Sequence, residues 1–146
     1  MNKKVILIFA VISLAFSSFL YFNYMKASGK EESDKKLLYF IQTAALKDYK
    51  NVSSLSKNLK AFLVIEEDNL YHIYVAITAD ESNLKKLKEF YKDNNYNIYV
   101  KEKITNNSSF IKLIDNYDFL LSETTDKEVI YNINKIVLKK YEEINR

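Results

Sequence analysis

The chain has no cysteine, no proline and no tryptophan, and it carries one glycine, Gly29, and one histidine, His72. Without cysteine there is no disulfide framework, no thiolate metal site and no cysteine nucleophile. A lone histidine excludes a metal site built on a His pair. With no proline and a single glycine, turns must come from Asn, Asp and Ser, which tolerate left-handed backbone or bond their own main chain. No P-loop, dinucleotide fingerprint or G-x-S-x-G elbow occurs. Acid pairs such as Glu66-Glu67 and Glu142-Glu143 are sequence neighbours, not carboxylates set across a cleft. The expectation is a protein that is not an enzyme, with no catalytic residue, no metal ligand and no cofactor.

What is present is globular. The 146 residues are 48% hydrophobic and 28% charged, enough for one domain plus an anchor. Net charge is +3, but Lys3 and Lys4 stand apart at the amino terminus, which leaves 20 of the 22 basic residues against 19 acidic ones. Nucleic acid needs a concentrated basic face, and this balance gives none.

Val5 to Tyr24 holds no charged residue. At about 1.5 Å per residue it is roughly 30 Å long as a helix, the thickness of a hydrocarbon core. Lys3 and Lys4 before it favour a cytoplasmic amino terminus with the rest extracytoplasmic, and Tyr21, Phe22 and Tyr24 suit an interfacial belt. The reading is a single-pass transmembrane helix over 1–25 that places the protein at the cell membrane, then a charged linker over 26–36. A cleaved signal peptide is the other reading, and Ala27-Ser28-Gly29 keeps it open.

The middle of the chain is written twice. Ile41-Gln42-Thr43-Ala44-Ala45 is followed 32 positions later by Ile73-Tyr74-Val75-Ala76-Ile77, and Val52, Leu55 and Leu59 recur at the same offset as Leu84, Leu87 and Tyr91. Each copy closes on an apolar run, Phe62 to Ile65 and then Asn97 to Val100. The pattern predicts strands over 37–46, 62–66, 70–77 and 96–104, with helices from Asp48 to about Lys60 and from a Thr78/Glu81 capping box to about Lys92. Glu67-Asp68-Asn69 reads as a hairpin turn. The fold class is α+β: a ferredoxin-like βαββαβ unit over 37–104, with a four-stranded antiparallel sheet and two helices on one face. A carboxy-terminal helical extension covers 105–146, with stripes Phe110, Leu113, Ile114, Tyr117 and then Val129, Ile133, Ile136, Val137, Tyr141 after a Thr125/Glu128 box. These helices pack on the sheet or serve as a surface for self-association or a protein partner.

Strand alternation sorts the faces. The aliphatic sides meet the helices, and the opposite side, left open, carries Phe40, Gln42, His72, Tyr74, Tyr99 and Lys101. Tyrosine rings cover the C–H faces of a sugar while Gln and His fix its polar edge. The same residues also suit an ordinary solvent-facing surface.

The wording of the repeat resembles the SPOR (sporulation-related repeat) domain family over about Leu38 to Glu102. Tyr39-Phe40-Ile41-Gln42-Thr43-Ala44-Ala45-Leu46 follows that family's opening, with Gln42 on its Gln. Leu70-Tyr71-His72-Ile73-Tyr74-Val75-Ala76 is similar to the opening of its second half. Ala44 and Ala76 stand in place of both glycines, Leu46 in place of an aromatic, and His72 where Arg is common. The resemblance implies a membrane-anchored module that binds the glycan strands of peptidoglycan in the bacterial envelope, in cell division or sporulation, through Gln42, His72, Tyr74 and Tyr99. The alternative is a ferredoxin-like protein-interaction or assembly subunit of an envelope complex.

Overall fold

The computed structural model describes residues 35–146. The expected membrane anchor over 1–25 and nearly all of the linker lie outside them. Among the described residues no helix is long and apolar enough to cross a membrane. The elements run β1 (Lys36–Leu46), α1 (Tyr49–Ser56), β2 (Leu63–Glu67), β3 (Leu70–Thr78), α2 (Glu81–Asp93), β4 (Tyr99–Thr105), α3 (Ser108–Glu123) and α4 (Lys127–Asn145).

Local chemistry explains the ends. Asp68 and Asn69 both have positive φ, 53° and 60°, as a two-residue hairpin turn requires, so Glu67 stays in β2 and pairs with Leu70. Asp48 caps α1 as expected. That helix stops at Ser56 instead of running to Lys60, because Ser53, Ser54 and Ser56 compete with the helical backbone and Ser56 bonds back to the Ser53 carbonyl. The two later caps fall on Asp80 and Asp126, not on Thr78 and Thr125: each Asp accepts from the backbone N–H three residues on. Thr78 is still the last residue of β3, and its hydroxyl is committed elsewhere. β4 begins at Tyr99 and not Tyr96, because Asn95 at φ 64° turns the chain and the Tyr96 N–H returns to the Tyr91 carbonyl to close α2.

The four strands are antiparallel, in spatial order β2-β3-β1-β4. The β1–β3 ladder is irregular around Gln42 and Thr43. β1 and β3 therefore form the centre, and β2 and β4 are the edges. Ile41 on β1 and Ile73, Val75 and Ala76 on β3 are fully buried, as are Leu87 and Tyr91 of α2. The Tyr91 hydroxyl donates to the Val75 carbonyl and accepts from the Asn134 amide, both at 2.9 Å. Burial raises its pKa.

The structure corrects one expectation outright. The side of the sheet that carries Phe40 and Tyr74 is not open. α4 packs along β3 and β2, and α3 packs on α4. Tyr141 of α4 sets its ring edge against Phe40, Phe110 of α3 does the same to Tyr141, and Phe40 in turn meets Tyr74. Phe40 and Tyr74 are both 0% exposed. The last six residues of β3, Ile73 to Thr78, are all buried, so its upper half is covered all round. The physical reason is area. An uncovered Phe40–Tyr74 surface would lose about 25 cal/mol for every Å² of apolar area left in water, and the stripes of α3 and α4 supply its cover.

Residues Ser33 to Arg146 form a unit of their own, and the buried side chains of sheet and helices make one continuous cluster within it. A buried carboxylate joins the two parts. Asp118 of α3 accepts from the Thr78 hydroxyl, the Ala79 N–H at 2.8 Å and the Asn83 amide at 3.3 Å. Lys86 of α2 donates to the Leu121 and Thr124 carbonyls, two of the orphan acceptors at the end of α3.

Candidate functional site

Four residues carried the expected site, and the structure separates them. Tyr74 is 0% exposed, packed edge-on against Phe40, which in turn meets Tyr141, so it cannot receive a ligand. The other three form a row across three strands. Gln42 lies on β1, opposite Tyr99 of β4 in the ladder. His72 of β3 reaches Gln42 from the other side, its Nδ1 at 3.0 Å from the Gln42 Oε1. Because the amide oxygen only accepts, this contact puts the imidazole proton on Nδ1 and leaves Nε2 as an acceptor. That Nε2 is buried and has no partner in the protein. Among the described residues the Gln42 amide nitrogen also makes no hydrogen bond. Tyr99 is 62% exposed, and Gln42 and His72 are half-buried. The row thus offers an unpartnered amide donor and an exposed ring, while the His72 Nε2 is enclosed and the imidazole serves to hold Gln42.

A charged cluster borders the row. Glu67 on β2 forms ion pairs with Lys101 and Lys103 on β4. These strands are opposite edges of the sheet, three inter-strand gaps or roughly 14 Å apart if flat. Twist and two long side chains close that distance over β3 and β1. Lys103 Nζ sits 5.3 Å from the Phe40 ring centroid and 5.8 Å from that of Tyr74, within cation–π range. The hydrogen bonds from Lys101 and Lys103 hold the Glu67 carboxyl at about 2, well below its ordinary 4.5. Burial raises the Tyr74 pKa, against the pull of the nearby Lys101 ammonium.

Sequence reading placed Lys101 on this side but missed Lys103 and Glu67. The period-two spacing of the two lysines was a usable signal. Glu67 was hidden because it reads as turn, and nothing local says that an edge strand will reach the opposite edge. A pH test follows. The unfolded chain protonates Glu67 near pH 4.5 and the folded chain only near 2. The contribution of Glu67 is therefore complete above pH 4.5 and is lost as pH falls toward 2. With partial exposure discounted it amounts to about 1–2 kcal/mol. Urea unfolding at pH 3 and pH 7 should show wild type losing more stability in acid than Glu67→Gln does. Equal losses would remove the cluster from the account.

Among the described residues no group of three or more His, Cys, Asp or Glu side chains could hold a metal ion. The Asp118 carboxylate accepts three hydrogen bonds from the β3–α2 turn and α2 and acts as a structural joint.

Comparison with known proteins gives little. No family model matches the chain. No curated protein matches it. One solved structure is similar: the solution structure of the peptidoglycan-binding domain of the B. subtilis cell wall lytic enzyme CwlC. The identity is 26%, over 47% of this chain and 91% of that one, with a TM-score of 0.41. A TM-score at that level does not establish a common fold.

Proposed function

We propose that this protein is a non-catalytic binding module for the glycan strands of peptidoglycan, and that the row His72–Gln42–Tyr99 is its contact surface. The observation that carries the reading is the row itself: an exposed tyrosine ring beside a Gln42 amide that His72 holds by its oxygen and whose nitrogen is not committed to a protein partner. A pyranose suits that combination, an apolar plate with a polar donor beside it. The resemblance of Tyr39–Leu46 and Leu70–Ala76 to the SPOR openings supports the same reading, and Gln42 and His72 belong to those two segments. Tyr74 drops out of the site. Glu67, Lys101 and Lys103 bound it and leave one net positive charge beside it.

The uncharged stretch Val5–Tyr24 behind Lys3 and Lys4 supports a single-pass anchor with the binding unit outside the cytoplasmic membrane, within reach of the wall. The resemblance to SPOR domains supports a role where wall is remodelled, in division or sporulation.

The test is co-sedimentation of residues 33–146 with purified sacculi, before and after amidase has removed the peptide stems. Binding is expected to rise on denuded glycan. A Gln42→Ala, Tyr99→Ala double variant should bind roughly 10-fold more weakly, the loss of two contacts worth about 0.5–1.5 kcal/mol each. Unchanged binding by the folded double variant would refute the site. Tyr74→Ala should instead lower stability by about 3–5 kcal/mol, as for other large aromatic truncations in a core.

A further inference from the structure

β2 presents a free edge with a groove on each side of it. The Glu67↔Leu70 pair closes a two-residue hairpin loop, so it is a hydrogen-bonded pair, and by alternation so are Ile65↔His72 and Leu63↔Tyr74. The N–H and C=O groups of Val64 and Glu66 therefore point away from β3. β2 ends the sheet, and among the described residues no other hydrogen bond reaches the backbone of Leu63–Glu67. On one side of this edge lies a cavity of about 320 Å³ with Ile65, Lys103 and Tyr141 in its wall. On the other lies one of about 480 Å³, walled by Tyr49, Phe62 and Tyr71. Tyr49 and Phe62 are 60% and 43% exposed. Glu66 and Glu142 border both.

We propose that β2 docks an extended strand of another protein, which adds to the sheet edge, places alternate side chains in the two grooves and sets a Lys or Arg against Glu66. Strand addition needs those two elements together: unpaired backbone groups for affinity, and pockets on alternating sides for selectivity. On the other edge, β4 carries Lys101, Glu102 and Lys103 in succession, a charged pattern that discourages pairing.

The charge at Glu66 decides the occupant. A second copy that paired β2 with β2 would do so through Val64 and Glu66. Centred on Glu66, that pairing sets carboxylate directly against carboxylate. Centred on Ile65, it sets each Glu66 against a Val64 with no compensating charge. Like charges opposite each other destabilise a ladder, whereas a basic residue opposite Glu66 stabilises it. Arg146 already answers Glu142, and Lys101 and Lys103 answer Glu67, so Glu66 is the acid at this edge without an ion-pair partner among the described residues.

The proposal is independent of the glycan row, and its test does not involve sugar. Phage-displayed random heptapeptides are selected on immobilised residues 33–146, and the most enriched one is synthesised. It should alternate apolar side chains around a Lys or Arg. Its binding should slow hydrogen exchange at the Val64 and Glu66 amides and leave the laddered Ile65 amide unchanged. Glu66→Lys and Val64→Pro should each weaken it at least 10-fold, while Glu102→Lys on the opposite edge leaves it within two-fold. Glu66→Lys, on the surface, covers the case in which the proline variant does not fold. Failure to enrich any peptide, or protection that misses Val64 and Glu66, would overturn the proposal. So would a concentration-dependent dimer that Val64→Pro abolishes, which would assign the edge to a second copy.

Discussion

A chain ending at Asn107 is expected to lose its cooperative unfolding transition. Removing α3 and α4 strips Phe110, Ile114, Val137 and Leu138 from the common core, and returns Leu38, Phe40 and Tyr74 to water. These three are now fully buried; at roughly 1.5–3 kcal/mol each, their exposure costs about 5–9 kcal/mol. A domain of this size has about 5–15 kcal/mol of net stability in all. The truncated chain should show a broad, low-amplitude urea transition by far-ultraviolet circular dichroism and should bind a hydrophobic dye. A sharp two-state transition for the truncated chain would mean that the βαββαβ portion is self-sufficient and the helices are an accessory. The outcome also bears on the glycan reading, since a sheet that needs α3 and α4 for its fold cannot offer Phe40 and Tyr74 to a ligand by shedding them.

Asp118→Ala should be the most damaging polar substitution. It leaves the Thr78 hydroxyl and the Ala79 N–H without their acceptor in a buried site, while the Asn83 amide keeps the Asp118 backbone carbonyl at 2.8 Å. Unsatisfied buried donors cost about 1–3 kcal/mol each, and relaxation with partial water entry brings the expected total to about 3 kcal/mol. Asp118→Asn retains one acceptor oxygen and should lose about half as much. Urea midpoints at constant m-value measure both. A loss under about 1 kcal/mol for Asp118→Ala would show that the joint between α3 and the β3–α2 turn is not what holds them together.

The pH response should distinguish Asp118 from Glu67. Burial raises the Asp118 carboxyl above its ordinary 3.8, against the pull of its three donors. The native state then holds that proton more tightly than the unfolded chain. Its contribution to stability is full below pH 3.8 and declines as pH rises through the folded value. Glu67 has the opposite sign, with its contribution lost as pH falls from 4.5 toward 2.

Much of the fold was legible in particular residues. The alternation in Leu70–Ile77 and the apolar run Phe62–Ile65 marked β3 and β2, and Asp68-Asn69 marked the hairpin between them. Asp48 marked the start of α1. The cap at Asp80 and the start at Tyr99 were each missed by two or three residues. Thr78 and Asp80 are both good capping residues, and what selects Asp80 is that Asp118, from an element 40 residues away, engages the Thr78 hydroxyl. Tyr96 reads as strand but completes the end of α2, because Asn95 adopts a left-handed conformation that local sequence permits without requiring.

The candidate site divides along the same line. Periodicity alone placed Phe40, Gln42, His72, Tyr74, Tyr99 and Lys101 together, and contacts link them on one side of the sheet: Phe40 with Tyr74, and Gln42 with His72. Which of them a ligand can reach was not in the periodicity. An amphipathic stripe such as Ile133, Val137 and Tyr141 states that a helix buries one side, and it is silent on the surface that receives it. Secondary structure is a property of residues close in sequence, set by backbone sterics, capping and side-chain period, so the chain determines it locally. Exposure is a relation between distant elements, and only the packing of α4 across β3 decided that Tyr74 belongs to the core while Gln42, His72 and Tyr99 remain at the surface.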